Sequence, residues 1–303
     1  ENARSLAAEF GDGVRIVDAD VRDADAVRDA ARGVGAIVHH AGQTAVTRSV
    51  LDPYGDLLDN VVGTVHVLEA ARQSPDEPVV MFASTNKVYG DLTDVDVVEE
   101  PDHYRFAHLP DGIDEDQPLR FVSPYACSKG SAEQYVLDYA RTYGLRTVVF
   151  RQSCIYGPHQ LGSEDQGWLA WFLLAARVGR RLTVFGDGKQ VRDLLYVDDL
   201  VDAFGAALAN IAVTRGRVYN IGGGPANSLS VWWQLRPVLE AAIGREVPEP
   251  SFAPWRIGDQ RVFCSDTTRA GVDFGWKPTT SPSDGLARMV AWLDSIGPVD
   301  LGP

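Results

Sequence analysis

The sequence predicts an α/β protein with a doubly wound parallel sheet and a smaller α/β lobe in its second half. Three observations predict it. Short apolar runs alternate with amphipathic stretches of helical length through roughly residues 1–155. The polar residues His39, Thr85 and Ser153 each fall where such a run ends. Beyond that point the alternation loosens, so residues 156–303 read mainly as a ligand-binding lobe interleaved with the last elements of the sheet.

Taken in order, Val14 to Val17 reads as a short strand, and Asp23 caps a helix from about Ala24 to Arg32. Ala36-Ile37-Val38 reads as a buried strand running into His39-His40-Ala41-Gly42-Gln43. A helix from about Asp56 to Arg72 carries Leu57, Val61, Val65 and Leu68 on one stripe. Val79 to Ala83 is the next strand, with Ser84-Thr85-Asn86 at its carboxyl end, and loops rich in Asp, Glu and Pro fill roughly 91–119. Ser123 and Pro124 open a helix whose apolar positions, among them Ala132, Val136 and Tyr139, recur until Gly144 stops them. Thr147 to Phe150 is a strand. The second half offers a helix from Trp168, a strand Leu182 to Phe185, a helix Val197 to Ala209 and a strand Val218 to Ile221 before Gly222-Gly223-Gly224. Helices near Leu229 to Ile243 and Ser283 to Leu293 complete the reading. Strands alternating with helices of this length imply βαβ units, whose ligands bind beyond the carboxyl ends of the strands.

Composition narrows the function. The chain of 303 residues carries a net charge of -14 and no basic run, which weighs against nucleic acid as a partner. Its longest apolar windows are too short to cross a bilayer and no signal peptide opens it, so a cytoplasmic protein is expected. Cys127, Cys154 and Cys264 have no metal-ligand spacing and are expected as thiols, with no metal site.

Tyr125 and Lys129 share one helix face, one turn apart. Tyrosine is a poor base at neutral pH, but a nearby cation favours the phenolate, so the pair can make a proton shuttle. Taken alone, the same spacing also fits an ordinary surface pair. Arg192, Arg256 and Arg261 are the candidates for an anionic ligand, because arginine offers forked donors to phosphate oxygens. Asn86, Lys87, Gln160, Gln166 and Gln190 are further candidates for contacts to a sugar or base.

The stretches Ser84 to Gly90, Tyr125 with Lys129, Tyr156-Gly157-Pro158 and Gly186 to Asp193 together resemble the extended short-chain dehydrogenase/reductases that modify nucleotide sugars with bound NAD, whose sheet is of the Rossmann type. Within that family, Ser84 to Gly90, Ser123 to Lys129 and Glu164 to Trp168 most resemble the CDP-tyvelose (CDP-paratose) 2-epimerases. The resemblance implies that Tyr125 is the base, that Lys129 holds the nicotinamide ribose, and that Thr85 hydrogen-bonds the reacting oxygen. It assigns Asp20 and Val21 to adenine, and His39, Ala41 and Gly42 to the turn passing the cofactor's phosphates and ribose. Asn60 resembles the family's helix residue beneath the active site, Asn60 and Ser153 are expected with Tyr125 and Lys129 among the cofactor contacts, and a homodimer or homotetramer is implied.

One departure stands out. The family opens with a strand, a Gly-rich turn and a helix that cradle the NAD pyrophosphate, and this chain contains no such unit. The expectation is therefore a truncated piece of a longer protein. Three functions follow: 2-epimerisation of a CDP-sugar, 4-epimerisation of a UDP-sugar, or a non-catalytic nucleotide-binding remnant. Dehydratases of the family carry an Asp-Glu pair after the threonine; Asn86-Lys87 stands here and disfavours dehydration.

Overall fold

A computed structural model describes residues 2–164, 166–256 and 258–297. Asp165, within one of the stretches read above, lies outside the described residues, as do both ends of the chain. The strands are β1 (Ala36–His39), β2 (Val79–Thr85), β3 (Val97–Glu99), β4 (Tyr104–Phe106), β5 (Thr147–Gln152) and β6 (Cys154–Tyr156). They continue with β7 (Thr183–Phe185), β8 (Val191–Tyr196), β9 (Arg217–Ile221), β10 (Ser228–Ser230), β11 (Ser251–Ala253) and β12 (Val262–Phe263).

The main sheet runs β1-β2-β5-β9, and every pairing is parallel. β2 and β5 are buried along their whole length, which is why they read as continuous apolar runs rather than as alternating ones. Two cores flank the sheet. On one side Val80, Phe82 and Val149 meet Leu68 and Ala71 of the Gly63–Gln73 helix and Ala132 and Val136 of the Pro124–Tyr143 helix. On the other, Met81, Phe150 and Tyr219 meet Phe204 of the Val197–Ala209 helix and Phe274 of the Thr268–Phe274 helix. A third core, around Trp232, Leu173 and Met289, belongs to the second half of the chain. There β8 pairs with β6, β10 and β12, and β7 pairs with β11.

Several expected elements change. Val14 to Val17 forms no strand: no strand lies alongside it among the described residues, and Ile16 and Val17 are about half exposed. A lone extended segment has no ladder to satisfy its backbone. For the same reason β1 is an edge rather than a buried strand, with Val38 46% exposed. The helix expected from Asp56 begins earlier, at Pro53 with Asp52 as its cap, and passes through a π-helical turn at Leu58–Val62 before continuing as Gly63–Gln73. That turn rotates the later residues, so Asn60, Thr64, Val67 and Leu68 face inward while Leu57 is exposed. The helix expected from Leu229 splits into β10 and the Leu235–Ile243 helix. The loop region 91–119 hides the antiparallel β3–β4 hairpin.

Candidate active site

The Pro124–Tyr143 helix forms as its sequence dictates. The Ser123 hydroxyl accepts from the Ala126 amide, Pro124 occupies the first turn, and Gly144 takes the left-handed conformation that ends it. Its opening turn crosses the carboxyl end of β2, so Tyr125 and Thr85 line one cavity of about 680 Å³. Ser153, just beyond β5, lines it as well. The opposite wall comes from the second half of the chain and includes Gln166, Gln190, Arg192 and Arg256. Asn86 and Lys87, directly after β2, join the two walls.

Beneath Tyr125 lies a dense polar layer. Asp56, 2% exposed, accepts from Gln43 Nε2 at 2.8 Å, from Asn60 Nδ2 at 3.1 Å and from Ser128 Oγ at 2.5 Å. Lys129 is buried with its Nζ 4.3 Å from the centre of the Phe82 ring. One turn further along the helix, Glu133 is fully buried, paired with Arg151 at 2.6 Å and accepting from Ser84 Oγ at 2.6 Å. His39 bonds Thr64 Oγ1 at 3.0 Å. Asn60 Oδ1 is buried with no hydrogen-bond partner, and a side chain at Gly42 would place its Cβ 2.4 Å from it.

The charges of this layer follow from burial. Burial lowers the Lys129 ammonium to about 8, against the upward pull of Asp56 and Glu133. Burial, then the charge of Lys129 and the neighbouring His40, lowers His39 to about 3, so the imidazole is neutral. The Tyr125 phenol corrects an expectation. Burial pushes it up to about 12, Thr85 draws it down through a hydrogen bond, and Asp56 adds to the rise. Lys129 does not bring the phenol below its ordinary value, because loss of water penalises phenolate and ammonium alike.

The far wall is cationic. Arg192, 7% exposed, stands 3.9 Å from Asp259, and Arg256 donates to the same carboxylate at 3.2 Å. Lys87 is lowered to about 8, first by burial and then by Arg192, with Asp259 pulling it back up. Burial alone would raise the Asp259 carboxyl, but Lys87, Arg192 and Arg256 outweigh it and hold it below the usual range. Three cations therefore share one carboxylate.

Other candidates lie away from the cavity. Asp20 is exposed and bound by the amide and guanidinium of Arg22. Val21 packs so closely on Gly63 that a Cβ there would sit 2.7 Å from its Cγ1. Lys129, His39, Ala41, Gly42 and Asn60 are not among the residues that line the cavity. Gln160 donates to the Ile155 carbonyl at 3.3 Å, and Arg261 covers the Tyr104 ring at 5.4 Å; neither reaches the cavity. Sequence reasoning passed over Asp56, Gln43 and Ser128. Nothing in the local sequence marks them, because Asp56 reads as the polar start of a helix.

Comparison with known proteins agrees with this geometry. Residues 1–222 match the model of the NAD dependent epimerase/dehydratase family. The chain is 43% identical over 263 residues to a CDP-paratose 2-epimerase of Salmonella typhi, covering 85% of this chain and 77% of that one. It is 36% identical over 294 residues to a UDP-glucose 4-epimerase of Mycolicibacterium smegmatis, covering 97% and 86%. The solved dTDP-glucose 4,6-dehydratase of Streptomyces venezuelae with NAD bound superposes with a TM-score of 0.81 at 29% identity, over 97% of this chain and 84% of that one. A parallel sheet, a Tyr-x-x-x-Lys helix crossing the end of β2 and a family match over more than two thirds of the sequence lead to one conclusion: the chain belongs to the NAD dependent epimerase/dehydratase family.

Proposed function

We propose that the chain is an NAD-dependent nucleotide-sugar epimerase that inverts carbon 2 of a CDP-sugar through a transient ketone. The observation carrying this reading is the convergence of Thr85, Tyr125 and Lys87 on one cavity beside a cationic wall. The identity to a CDP-paratose 2-epimerase favours the CDP-sugar as substrate. Identity over nearly the whole chain to a UDP-glucose 4-epimerase favours 4-epimerisation of a UDP-sugar as the second reading.

The residues present suit the nicotinamide-ribose half of NAD. Asn60 Oδ1 is a buried acceptor without a donor, Gly42 leaves the space above it open, and Lys129 offers a buried ammonium. Lys129, Tyr125, Asn60 and Gly42 would hold that half, Ser153 and the His39–Ala41 turn would flank it, and Asp20 and Val21 would meet the adenine. The chemistry that bound NAD would supply there is reversible acceptance of a hydride. In its phenolate form Tyr125 removes the hydroxyl proton, and the phenol so formed later restores it, because an alcohol is a poor hydride donor until its proton is leaving. Thr85 holds the reacting oxygen within reach of the phenol. Arg192, Arg256 and Lys87 anchor the diphosphate, and Asn86, Gln166 and Gln190 face the sugar. An anchored diphosphate lets the sugar turn between the two transfers. Next to Thr85 stand an amide and an ammonium, so no carboxylate adjoins it to eliminate water, which separates this site from dehydration.

The test is product analysis by NMR after incubation with CDP-sugars and UDP-sugars deuterated at carbons 2 and 4. Inversion at carbon 2 of the CDP-sugar with the label retained is expected. Wash-out of deuterium into water would overturn the oxidation–reduction reading. The exposed Leu57 at the end of the Pro53–Leu57 helix and the exposed Tyr135 and Tyr143 of the Pro124–Tyr143 helix support assembly into a homodimer or homotetramer, which light scattering at micromolar concentration reads directly.

A further inference from the structure

One buried carboxylate takes no part in the mechanism above. Asp56 joins three elements: the turn after β1 through Gln43, the Leu58–Val62 turn through Asn60, and the Pro124–Tyr143 helix through Ser128. All three donors are neutral. An ionised carboxylate buried among neutral groups is costly, so its charge needs a counterpart nearby.

The groups facing Lys129 from each element packed on it are few. Glu133, on the same helix, is matched by Arg151. His39 and His40, at the end of β1, are both held towards the neutral form by burial and by Lys129 itself. β2 contributes the Phe82 ring. Tyr125 is a neutral phenol. Of the two carboxylates that act on Lys129, Asp56 is the one with no arginine partner among the described residues.

We propose that Asp56 is the positioning residue of the active-site helix and the counter-charge of Lys129, tying the Gln43 turn and the Asn60 turn to Ser128 beneath Tyr125. The proposal rests on the epimerase reading for its effect on turnover, but not for the charge pairing itself. Ser128 carries the positional link. Its oxygen lies 2.5 Å from Asp56 and 3.1 Å from the Tyr125 carbonyl. With one proton to give, it donates to the carboxylate and keeps the first helical turn seated on it. Asp56 also acts on both reactive groups in one direction, raising Lys129 and raising Tyr125. Removing the charge therefore lowers both, and the whole pH–rate profile moves towards acid. A purely structural residue would depress the rate equally at every pH.

The experiment compares the full chain with Asp56→Asn and Ser128→Ala. Competitive labelling of the Lys129 amine with acetic anhydride, followed across pH by mass spectrometry without substrate or cofactor, reads the charge pairing. The midpoint is expected to fall by about one pH unit in Asp56→Asn, about tenfold in the protonation equilibrium, and to stay in place in Ser128→Ala. An unmoved midpoint in Asp56→Asn overturns the counter-charge. In turnover assays the alkaline limb of kcat should move with that midpoint, while Ser128→Ala should lower kcat severalfold with KM and the pH optimum unchanged. Should Asp56→Asn fail to fold, an unaltered kcat in Ser128→Ala still overturns the positioning role. If the chain turns over no nucleotide sugar, the labelling result stands by itself and separates failure of this proposal from failure of the epimerase reading.

Discussion

The two walls of the cavity handle charge in opposite ways. Under Tyr125, the carboxylates of Asp56 and Glu133 hold Lys129 up against the pull of burial, and Glu133 is paired with Arg151. Across the cavity, Lys87, Arg192 and Arg256 all act on the Asp259 carboxylate, in a chain whose overall charge is -14. The first wall is balanced before any ligand arrives, so its geometry is fixed in advance. The second gathers three basic side chains around one carboxylate, as the proposed anion anchor requires. Reactive groups need the former and a diphosphate anchor the latter.

Mutations should separate the walls. Tyr125→Phe removes only the ionisable oxygen; turnover is expected to fall by about a thousandfold with the melting temperature unchanged, checked by NMR assay and calorimetry. Glu133→Gln breaks the balanced wall, leaving the buried Arg151 without its partner, and a loss of about 3 to 5 kcal/mol in urea denaturation is expected. Arg192→Ala should leave stability nearly untouched and raise KM by about tenfold or more while kcat changes less, because it removes binding common to ground and transition states. A loss of stability as large as that of Glu133→Gln would erase the contrast.

The smallest effect is one of pH. Lys87, depressed by burial and Arg192 to about 8, is charged below that value and neutral above it. On the proposed reading, anion binding through it is complete at lower pH and declines as pH rises through 8. KM should climb a few-fold from pH 7 to pH 9 in the parent chain, and Lys87→Met should flatten that climb, as steady-state kinetics would reveal.

What could be read beforehand was whatever short-range rules decide. The Ser123-Pro124 start and Gly144 stop of the long helix, the apolar run into Thr85 and the Asp23 cap are local signals, and the structure reproduces each. Three features depend on distant partners and were not legible. The π-turn at Leu58–Val62 shifts the inward face of its helix without changing the apolar composition that advertises it. Val14 to Val17 has a strand's composition but nothing to pair with. Asp56 looked like the polar start of a helix, and only the approach of Ser128 and Gln43 from elsewhere in the chain shows it to be buried. At the site, residue types were readable and their protonation was not, because the Tyr125 phenol answers to burial as much as to its neighbour.

The return of β9 to the main sheet has a consequence for biosynthesis. β9 pairs with β5, Ser153 donates its amide to Ile221, and the Tyr89 hydroxyl reaches Asn220 across 131 residues of sequence. A nascent chain therefore cannot complete the first half while the ribosome is still translating the second. Until residue 221 emerges, the edge of β5 stands open and Tyr89 lacks its partner. Synthesis must leave that edge unpaired for several seconds at ordinary elongation speeds of about 5 to 20 residues per second. A chaperone that shields one open strand edge should raise the yield of this protein more than one that shields a folded amino-terminal half.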